Sequence, residues 1–310
     1  MPPTLSVHIG NFAASDPGDW SPLLEQARAA DAVGIDRLVV SDHVVMGEHL
    51  EAYGEPGLGG VAGGKQPTGP DGIWLEPLTV LTAVAAVTTR VRLGTGILLA
   101  ALRRPVVLAK QAATLDVLSG GRLDLGVGVG WQREEYEAAG LDYHARGRLL
   151  DHSLEVCQVL WREQSARFDG DGLRFEGIHC MPKPRQAGGV PFWISGRMND
   201  RVIERIARFG SGWIPWGDEA RAPAAHVARI RDALASSGRD PAAFEVEGPL
   251  PVARDAEGGI DIERTMENLP PLVEAGITDF RAPVRVPEDR GRAEEQLGPL
   301  VAAFRATVGR

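Results

Sequence analysis

A chain of 310 residues with 44% hydrophobic and 24% charged side chains has the balance of an ordinary globular protein and the length for a large core. A formal net charge of -9, with basic residues scattered through helical segments, argues against nucleic-acid binding, and no apolar run approaches the roughly eighteen residues of a membrane span. The N-terminal MPPTLSVHIG lacks the basic and apolar regions of a secretory signal, so a cytoplasmic location is expected; Cys157 and Cys180 have no CxxC or Cys/His spacing and are expected to be free thiols.

Short β-branched runs alternate with longer amphipathic ones, the pattern of repeated βα units around a parallel sheet. LSVHIGNF (5–12) reads as the first strand and DWSPLLEQARAADAVG (19–34) as the first helix. RLVVSDH (37–43) is the second strand, and EPLTVLTAVAAVTTR (76–90) a helix with Pro77 in its first turn, where a missing N–H costs least. VRLGTGILL (91–99), RPVVLAKQAATLDVLSGG (104–121) and RLDLGVGVG (122–130) read as strand, helix and strand, and a helical stretch runs from Trp131 to about Arg162. VPFWISG (190–196), GWIPW (212–216), FEVEGPLPV (244–252) and ITDFRAPV (277–284) supply four more strands, each followed by a helical pattern. Eight strands and eight helices predict a single α/β domain over 1–310, a (β/α)8 TIM barrel.

Two insertions interrupt the count. Residues 44–73, after strand two, are Gly-rich and too long for an ordinary βα loop; they lie on the C-terminal, catalytic face and are a candidate substrate lid. Residues 163–189, before strand five, carry RFDGDGLRFEG, which reads as a hairpin turning at Gly170 to Gly172.

In such a barrel the chemistry sits beyond the C-terminal strand ends. Four of these ends stand out: Asp42-His43, Gly94-Thr95-Gly96, Gly126-Val127-Gly128-Val129-Gly130 and Ser195-Gly196-Arg197. Alternate glycines bare one strand face to a phosphate or a flat ring, or make room for bulky barrel neighbours; the spacing is not the GxGxxG dinucleotide fingerprint. Ser195, Gly196 and Arg197 offer a hydroxyl, backbone donors and a guanidinium to an anion. An imidazole exchanges protons near neutrality, so His43 suits a reaction that adds hydride to, or removes it from, a carbonyl, imine or activated alkene; a structural histidine is the other reading. Asp42 and His43 should face opposite ways on a regular strand, and both reach one site only if the strand ends or bulges there. Trp74, Trp216, Glu247 and Arg281 fall near strand ends or the lid and are candidate substrate-pocket residues, Arg281 as the partner of a substrate anion. His8 and Asn11 read as structural, His144 and His152 as solvated.

SDHV, EPLTVLTAVAAVTTRVRLGTGILL, RRPVVLAKQAATLDVLSGGRLDLGVGVGW and PFWISG…ARFGSGWIPW, in that order and spacing, resemble the bacterial luciferase-like superfamily and, more narrowly, its coenzyme F420-dependent oxidoreductase branch. The motifs lie in the first two thirds of the chain; the last third is similar by barrel pattern alone. The resemblance implies a TIM barrel, a homodimer, and the deazaflavin coenzyme F420 at the strand ends, exchanging hydride with a small-molecule substrate. It implies that Asp42 and His43 lie against the deazaflavin, with His43 as proton donor or acceptor, and that a non-proline cis peptide at Gly96-Ile97 backs the ring. It places the phosphate-bearing tail along Val129, Gly130, Trp131 and Gln132, and on Ser195, Gly196 and Arg197, with Gly128 a further cofactor-binding residue. Trp131 is a departure: sugar-phosphate dehydrogenases of the branch carry a catalytic Glu there, so glucose 6-phosphate oxidation by that route is not expected. Glu134 and Glu135, one helical turn on, are not expected to substitute.

Three other functions compete. An FMN-dependent luciferase-like monooxygenase would activate oxygen on a reduced flavin. A metal-dependent barrel hydrolase would carry an HxH pair after strand one, where only His8 stands, so no metal is expected. A barrel that binds flavin without catalysis is the third.

Overall fold

In the computed structural model, which describes residues 2–170 and 172–310, eight parallel strands close into a barrel. They are β1 (Thr4–His8), β2 (Arg37–Val40), β3 (Arg92–Thr95), β4 (Leu123–Val127), β5 (Phe192–Gly196), β6 (Gly210–Pro215), β7 (Glu245–Pro249) and β8 (Asp279–Ala282). Each pairs with its neighbour in sequence, and β8 closes the ring onto β1. The outer layer comprises α1 (Ser21–Val33), α2 (Pro77–Val87), α3 (Pro105–Leu118), α4 (Arg146–Arg162), α5 (Asp200–Phe209), α6 (Val227–Ser236), α7 (Ile262–Glu267) and α8 (Arg290–Val308). This is the (β/α)8 TIM barrel expected from the alternation. Among the described residues no helix is long and apolar enough to cross a membrane.

Local chemistry sets the helix ends. Pro77 and Pro105 open α2 and α3, where no intrahelical partner for their N–H is required. α1 stops at Gly34, whose φ of 88° lets its N–H return to the Ala30 carbonyl. The helix expected from Trp131 to Arg162 is broken instead: Arg133–Ala138 is a short helix, Gly140 turns left-handed (φ 68°), and α4 begins only at Arg146.

The strands are shorter than the apolar runs that announced them, because their last residues leave the sheet to build the barrel mouth. RLVVSDH stops at Val40, VRLGTGILL at Thr95 and RLDLGVGVG at Val127. Phe12–Ala13 separates from β1 and pairs antiparallel with Ile73–Trp74, the end of the 44–73 segment. Ala166–Gly170 and Leu173–Ile178 form an antiparallel ribbon. Asp171, within the turn expected at Gly170 to Gly172, and Met1, of the N-terminal stretch, lie outside the described residues.

Alternation along β2 sends Leu38 and Val40 outward into the apolar layer under the helices and Arg37 into the lumen. There the buried Arg37 guanidinium meets Asp124 at 3.0 Å, Asp279, and Glu245 at 3.6 Å, and lies 4.1 Å over the Trp193 ring. Ser6 and Thr4 hydroxyls donate to Asp279 at 2.6 and 2.9 Å, and Arg92 grips Asp124 with two bonds of 2.6 Å. Burial alone would lower the pKa of Arg37, but Asp279, Asp124 and Glu245 outweigh it and hold the guanidinium above its ordinary value. Burial likewise pushes Asp124 upward, and Arg37 and Arg92 reverse the sign, leaving its carboxyl below the usual range.

Removing the cation should therefore cost far more than a surface charge would. Arg37→Met leaves buried carboxylates facing one another, and denaturant unfolding should show a loss of about 3–5 kcal/mol. A loss below about 1 kcal/mol, the scale of an exposed ion pair, would show that the lumen does not depend on this charge.

Candidate active site

Because β2 ends at Val40, the next three residues escape strand alternation and face three different partners. Ser41 is held through its backbone: its N–H donates to Asn11 Oδ1 at 3.0 Å, and Asn11 Nδ2 donates to the Ser41 and Leu75 carbonyls at 2.8 Å each. Asn11, fully buried, thus splices the ends of β1 and β2 to Leu75, two residues before α2.

Asp42 turns to the segment after β3. Its carboxylate accepts from the Leu99 N–H at 2.8 Å and from both Arg103 terminal nitrogens, at 2.6 and 3.1 Å. The Asp42 side chain is 0% exposed. Both oxygens are thus engaged by protein donors, so Asp42, although it is among the residues lining the cavity, holds the mouth together rather than offering a free carboxylate.

His43 faces a cavity of about 600 Å³ at the C-terminal end of the barrel. Its Nδ1 lies 3.2 Å from Glu135 Oε2, and the same carboxylate accepts from the Val44 N–H at 2.8 Å through Oε1. A carboxylate only accepts, so the Nδ1–H is the donor and Nε2 presents its lone pair, which receives the Gln66 amide N–H at 3.1 Å. Trp74 packs edge-on against the imidazole at 4.7 Å and Trp131 at 6.0 Å between ring centroids. The sequence places Glu135 a turn beyond Trp131, where it is not expected to replace an acid at that position, and gives no sign of this contact. The helix it belongs to starts only at Arg133, which puts Glu135 in the first turn, where it reaches back to β2. Glu134 points elsewhere and meets His49 at 2.7 Å.

The rest of the lining falls into two parts. Phe12, Tyr53, Trp74, Trp131 and Trp216 give an aromatic wall, with His8 and Ser41 beside it. Gly96, Ile97, Gly128, Val129, Gly130, Ser195, Gly196 and Arg197 line the cavity as well, joined by His144, Arg146, Arg201 and Arg205. The Gly96-Ile97 peptide is cis. Of the alternate glycines, Gly126 is a packing residue, since a Cβ there would sit 1.9 Å from the Thr95 carbonyl oxygen; Gly128 and Gly130 bare backbone to the cavity.

Two other expectations need correcting, and a third residue joins the lining. Glu247 and Arg281 do not line this cavity: they pair with each other in the lumen, and Arg281 Nε donates to Ser6 Oγ at 3.1 Å, so the guanidinium is spent before any substrate anion arrives. Gln132 is buried and braces the insertion, accepting from the Gly47 N–H at 3.1 Å. His8, read as structural, lies in the lining with Nε2 2.9 Å from Ser41 Oγ.

The 44–73 segment is docked on the mouth by its carbonyls. Arg197 donates to Pro56 and Gly60 at 3.1 and 2.7 Å, Trp216 Nε1 to Gly59 at 2.8 Å, and Tyr143 to Leu58 at 3.0 Å. The Nε atoms of Arg146 and Arg197 are buried without a hydrogen-bond partner. Together with the Asn199-capped N-terminus of α5, they are the donors that an anionic tail would satisfy, while Gly128 and Gly130 line the cavity and let Ile97 and Leu99 pack close against their backbone. The residues present therefore fit a phosphate-bearing flavin or deazaflavin. Among the described residues no group of three His, Cys, Asp or Glu side chains is placed to hold a metal.

A family model described as luciferase-like monooxygenase matches residues 4–257. The chain belongs to this family. It is 32% identical over 232 residues to the uncharacterized protein Rv0953c of Mycobacterium tuberculosis, covering 74% of this chain and 77% of the relative. It is 33% identical over 213 residues to an F420-dependent glucose-6-phosphate dehydrogenase of Mycobacterium avium, covering 67% of this chain and 56% of the relative. Among solved structures, an F420-dependent secondary alcohol dehydrogenase in complex with an F420-acetone adduct superposes with a TM-score of 0.73 at 18% identity, covering 98% of this chain and all of that one. The oxygenating constituent of 3,6-diketocamphane monooxygenase from Pseudomonas putida, in complex with FMN, gives 0.70 at 14%, covering 97% of each. At these identities the two structures speak to the shared barrel fold.

Burial, and then the charge of Arg281, lower the pKa of His8 from 6.5 to about 4. In the unfolded chain His8 takes a proton below about pH 6.5, while in the fold it stays neutral down to about pH 4, so its contribution to stability is present at neutral pH and lost as the pH falls through that window. The wild type should lose up to roughly 3 kcal/mol between pH 7 and 4 on this account. His8→Gln should lack that component, so the stability gap between the two proteins narrows or reverses in acid. A gap that stays constant from pH 7 to 4 would mean that His8 is not held neutral.

Proposed function

We propose that this protein is a coenzyme F420-dependent oxidoreductase that transfers a hydride to or from a small, largely apolar organic substrate, with His43 as the group that gives or takes the proton. The observation that carries this reading is the imidazole itself: one nitrogen is fixed by a buried carboxylate, and the other is turned to an aromatic-walled cavity. The similarity to an F420-dependent dehydrogenase supports the choice of coenzyme.

On this reading Gly96, Ile97, Gly128, Val129, Gly130 and Trp131 hold the ring, while Ser195, Gly196 and Arg197, with Arg146 and Arg201, hold the phosphate-bearing tail. The coenzyme, when bound, supplies or accepts the hydride. The chain does the rest. Glu135 fixes the Nδ1–H tautomer, so Nε2 accepts the hydroxyl proton of an alcohol as it is oxidised; in reverse, the protonated ring returns that proton to the oxygen of a ketone. Asp42 and Arg103 keep the residues after β3 in place behind the site. The 44–73 segment serves as a lid that keeps water from the reacting atoms.

A second reading, an FMN-dependent monooxygenase, draws on the family description and on the FMN-bound neighbour. Titrating purified protein with oxidised F420 and, separately, with FMN distinguishes them: F420 should bind at least tenfold more tightly. His43→Asn should keep the coenzyme and lose about 10²–10⁴ in turnover. Tight FMN binding with no affinity for F420 would overturn the first reading in favour of the second. Cofactor-linked activity unchanged in His43→Asn would leave a flavin-binding barrel without this chemistry.

We also propose that the protein works as a homodimer through α3 and the adjoining residues of the 163–189 insertion. Val107, Leu118 and Met181 are 54%, 64% and 47% exposed, and Lys110 of α3 donates to the Met181 carbonyl, which puts these apolar groups on one surface. Sedimentation equilibrium should give twice the chain mass, and Leu118→Asp should give a folded monomer. A wild-type monomer at micromolar concentration would dispose of the proposal.

A further inference from the structure

A polar side chain from the insertion interrupts the aromatic wall at His43. Gln66 lines the cavity, and its amide nitrogen lies 3.1 Å from His43 Nε2 and 3.9 Å from Met46 Sδ. Its place is fixed two residues on: the buried Thr68 accepts the Trp74 Nε1–H at 2.9 Å, and Trp74 is the ring packed on His43. The same indole thus anchors both members of the contact. Glu135, the ionisable group bonded to the imidazole, claims Nδ1 and leaves Nε2 as the only nitrogen that can exchange a proton with a substrate. Gln66 occupies that nitrogen.

We propose that Gln66 is a substrate-positioning residue selecting for a hydroxyl or carbonyl oxygen, an inference that rests on the oxidoreductase reading of the same site. A hydroxyl carries both functions of the contact it replaces. Its O–H donates to His43 Nε2 where the amide N–H did, and its oxygen accepts the N–H that Gln66 gives up. A carbonyl oxygen is served by the same pair once the imidazole is protonated, taking one bond from Nε2–H and one from the carboxamide. A ligand without oxygen gains nothing from this pair: it either leaves the Gln66–His43 contact in place or, by separating the two, leaves both Nε2 and the amide unpaired, which is a strong form of discrimination for a small site. The substrate class that follows is an alcohol or ketone on an apolar or aromatic frame.

Two measurements test this, the first on the protein free of coenzyme. In protein labelled with ¹⁵N histidine, Gln66→Leu should shift the His43 Nε2 resonance towards that of an unbonded ring nitrogen. Gln66→Glu, whose side chain only accepts, should bring a proton to Nε2 and give the imidazolium pattern at pH 7. The second measurement follows the same resonance, in free and coenzyme-loaded protein, on titration with benzyl alcohol or toluene. Benzyl alcohol should move it in the wild type and toluene should not; Gln66→Leu should weaken benzyl alcohol about tenfold, the scale of one hydrogen bond, and leave toluene affinity unchanged. A resonance indifferent to Gln66→Leu, or equal benzyl alcohol affinity in both proteins, would overturn the proposal. Absence of coenzyme binding would instead strike the oxidoreductase reading, while the free-protein spectra still judge Gln66.

Discussion

Arg37 carries its charge into the barrel lumen and meets carboxylates from β4, β7 and β8, none of which is a hydrogen-bonded neighbour of β2. The tie therefore runs through the interior rather than around the sheet. A dry cation is tolerated only when its partners are all in place, and the same holds for each carboxylate it neutralises. A one-residue slip of β2 would send Arg37 to the helix side and strand Asp124 and Asp279, so the network penalises wrong registers far more than apolar packing alone would.

The site is built on that ionic floor and is coupled to it. Arg281 pairs with Glu247 and with the hydroxyl of Ser6, which in turn donates to Asp279. Its field also reaches His8 and helps keep that ring neutral at the cavity wall. Above this level the polar residues divide their tasks. Asn11 joins the ends of β1 and β2, and Asp42 pins the backbone after β3 with the help of Arg103. Ser41 and Asp42 line the cavity too, but their polar groups are taken by His8, Leu99 and Arg103, so His43 is the residue of SDHV whose ring is held towards the insertion and its Gln66. Adjacent side chains diverge here because the strand has ended, and no bulge is needed.

What the sequence made legible was what depends on local period. Strands, helices and their order followed from alternation and from proline and glycine at helix ends, and the mouth followed from glycine and polar residues after apolar runs. The failures have a common cause. Arg281 lies near the end of its strand, but Glu247 sits midway along β7, and a single sequence does not reveal which face of a barrel strand points inward, nor that these two residues neutralise each other across β7 and β8. Glu135 and Gln66 were missed for the opposite reason: each sits in a segment with little period of its own and is delivered to His43 by tertiary contacts spanning 92 and 23 residues. One sequence signal for Glu135 was available, an acid just past the glycine motif at the start of a helix; weighing it only as a substitute for an acid at position 131, which it is not, passed over its contact with His43.

Trp131 gives this arrangement its chemical direction. An acid at that position would give the cavity a second proton-exchanging group beside His43; an indole gives it an apolar edge 6.0 Å from the imidazole. Glu135 does not restore the lost group, because one oxygen is committed to His43 and the other to the Val44 N–H. Proton traffic on the oxidoreductase reading therefore passes through a single nitrogen, His43 Nε2. That suffices for interconverting an alcohol and a ketone, where one proton accompanies one hydride. It is poorly matched to a polyhydroxylated substrate, whose remaining hydroxyls would face Phe12, Trp74 and Trp131 with few hydrogen bonds to replace those they make with water. On that reading the indole at position 131, where an acid is absent, also narrows the substrate, and the two effects point to one class of molecule.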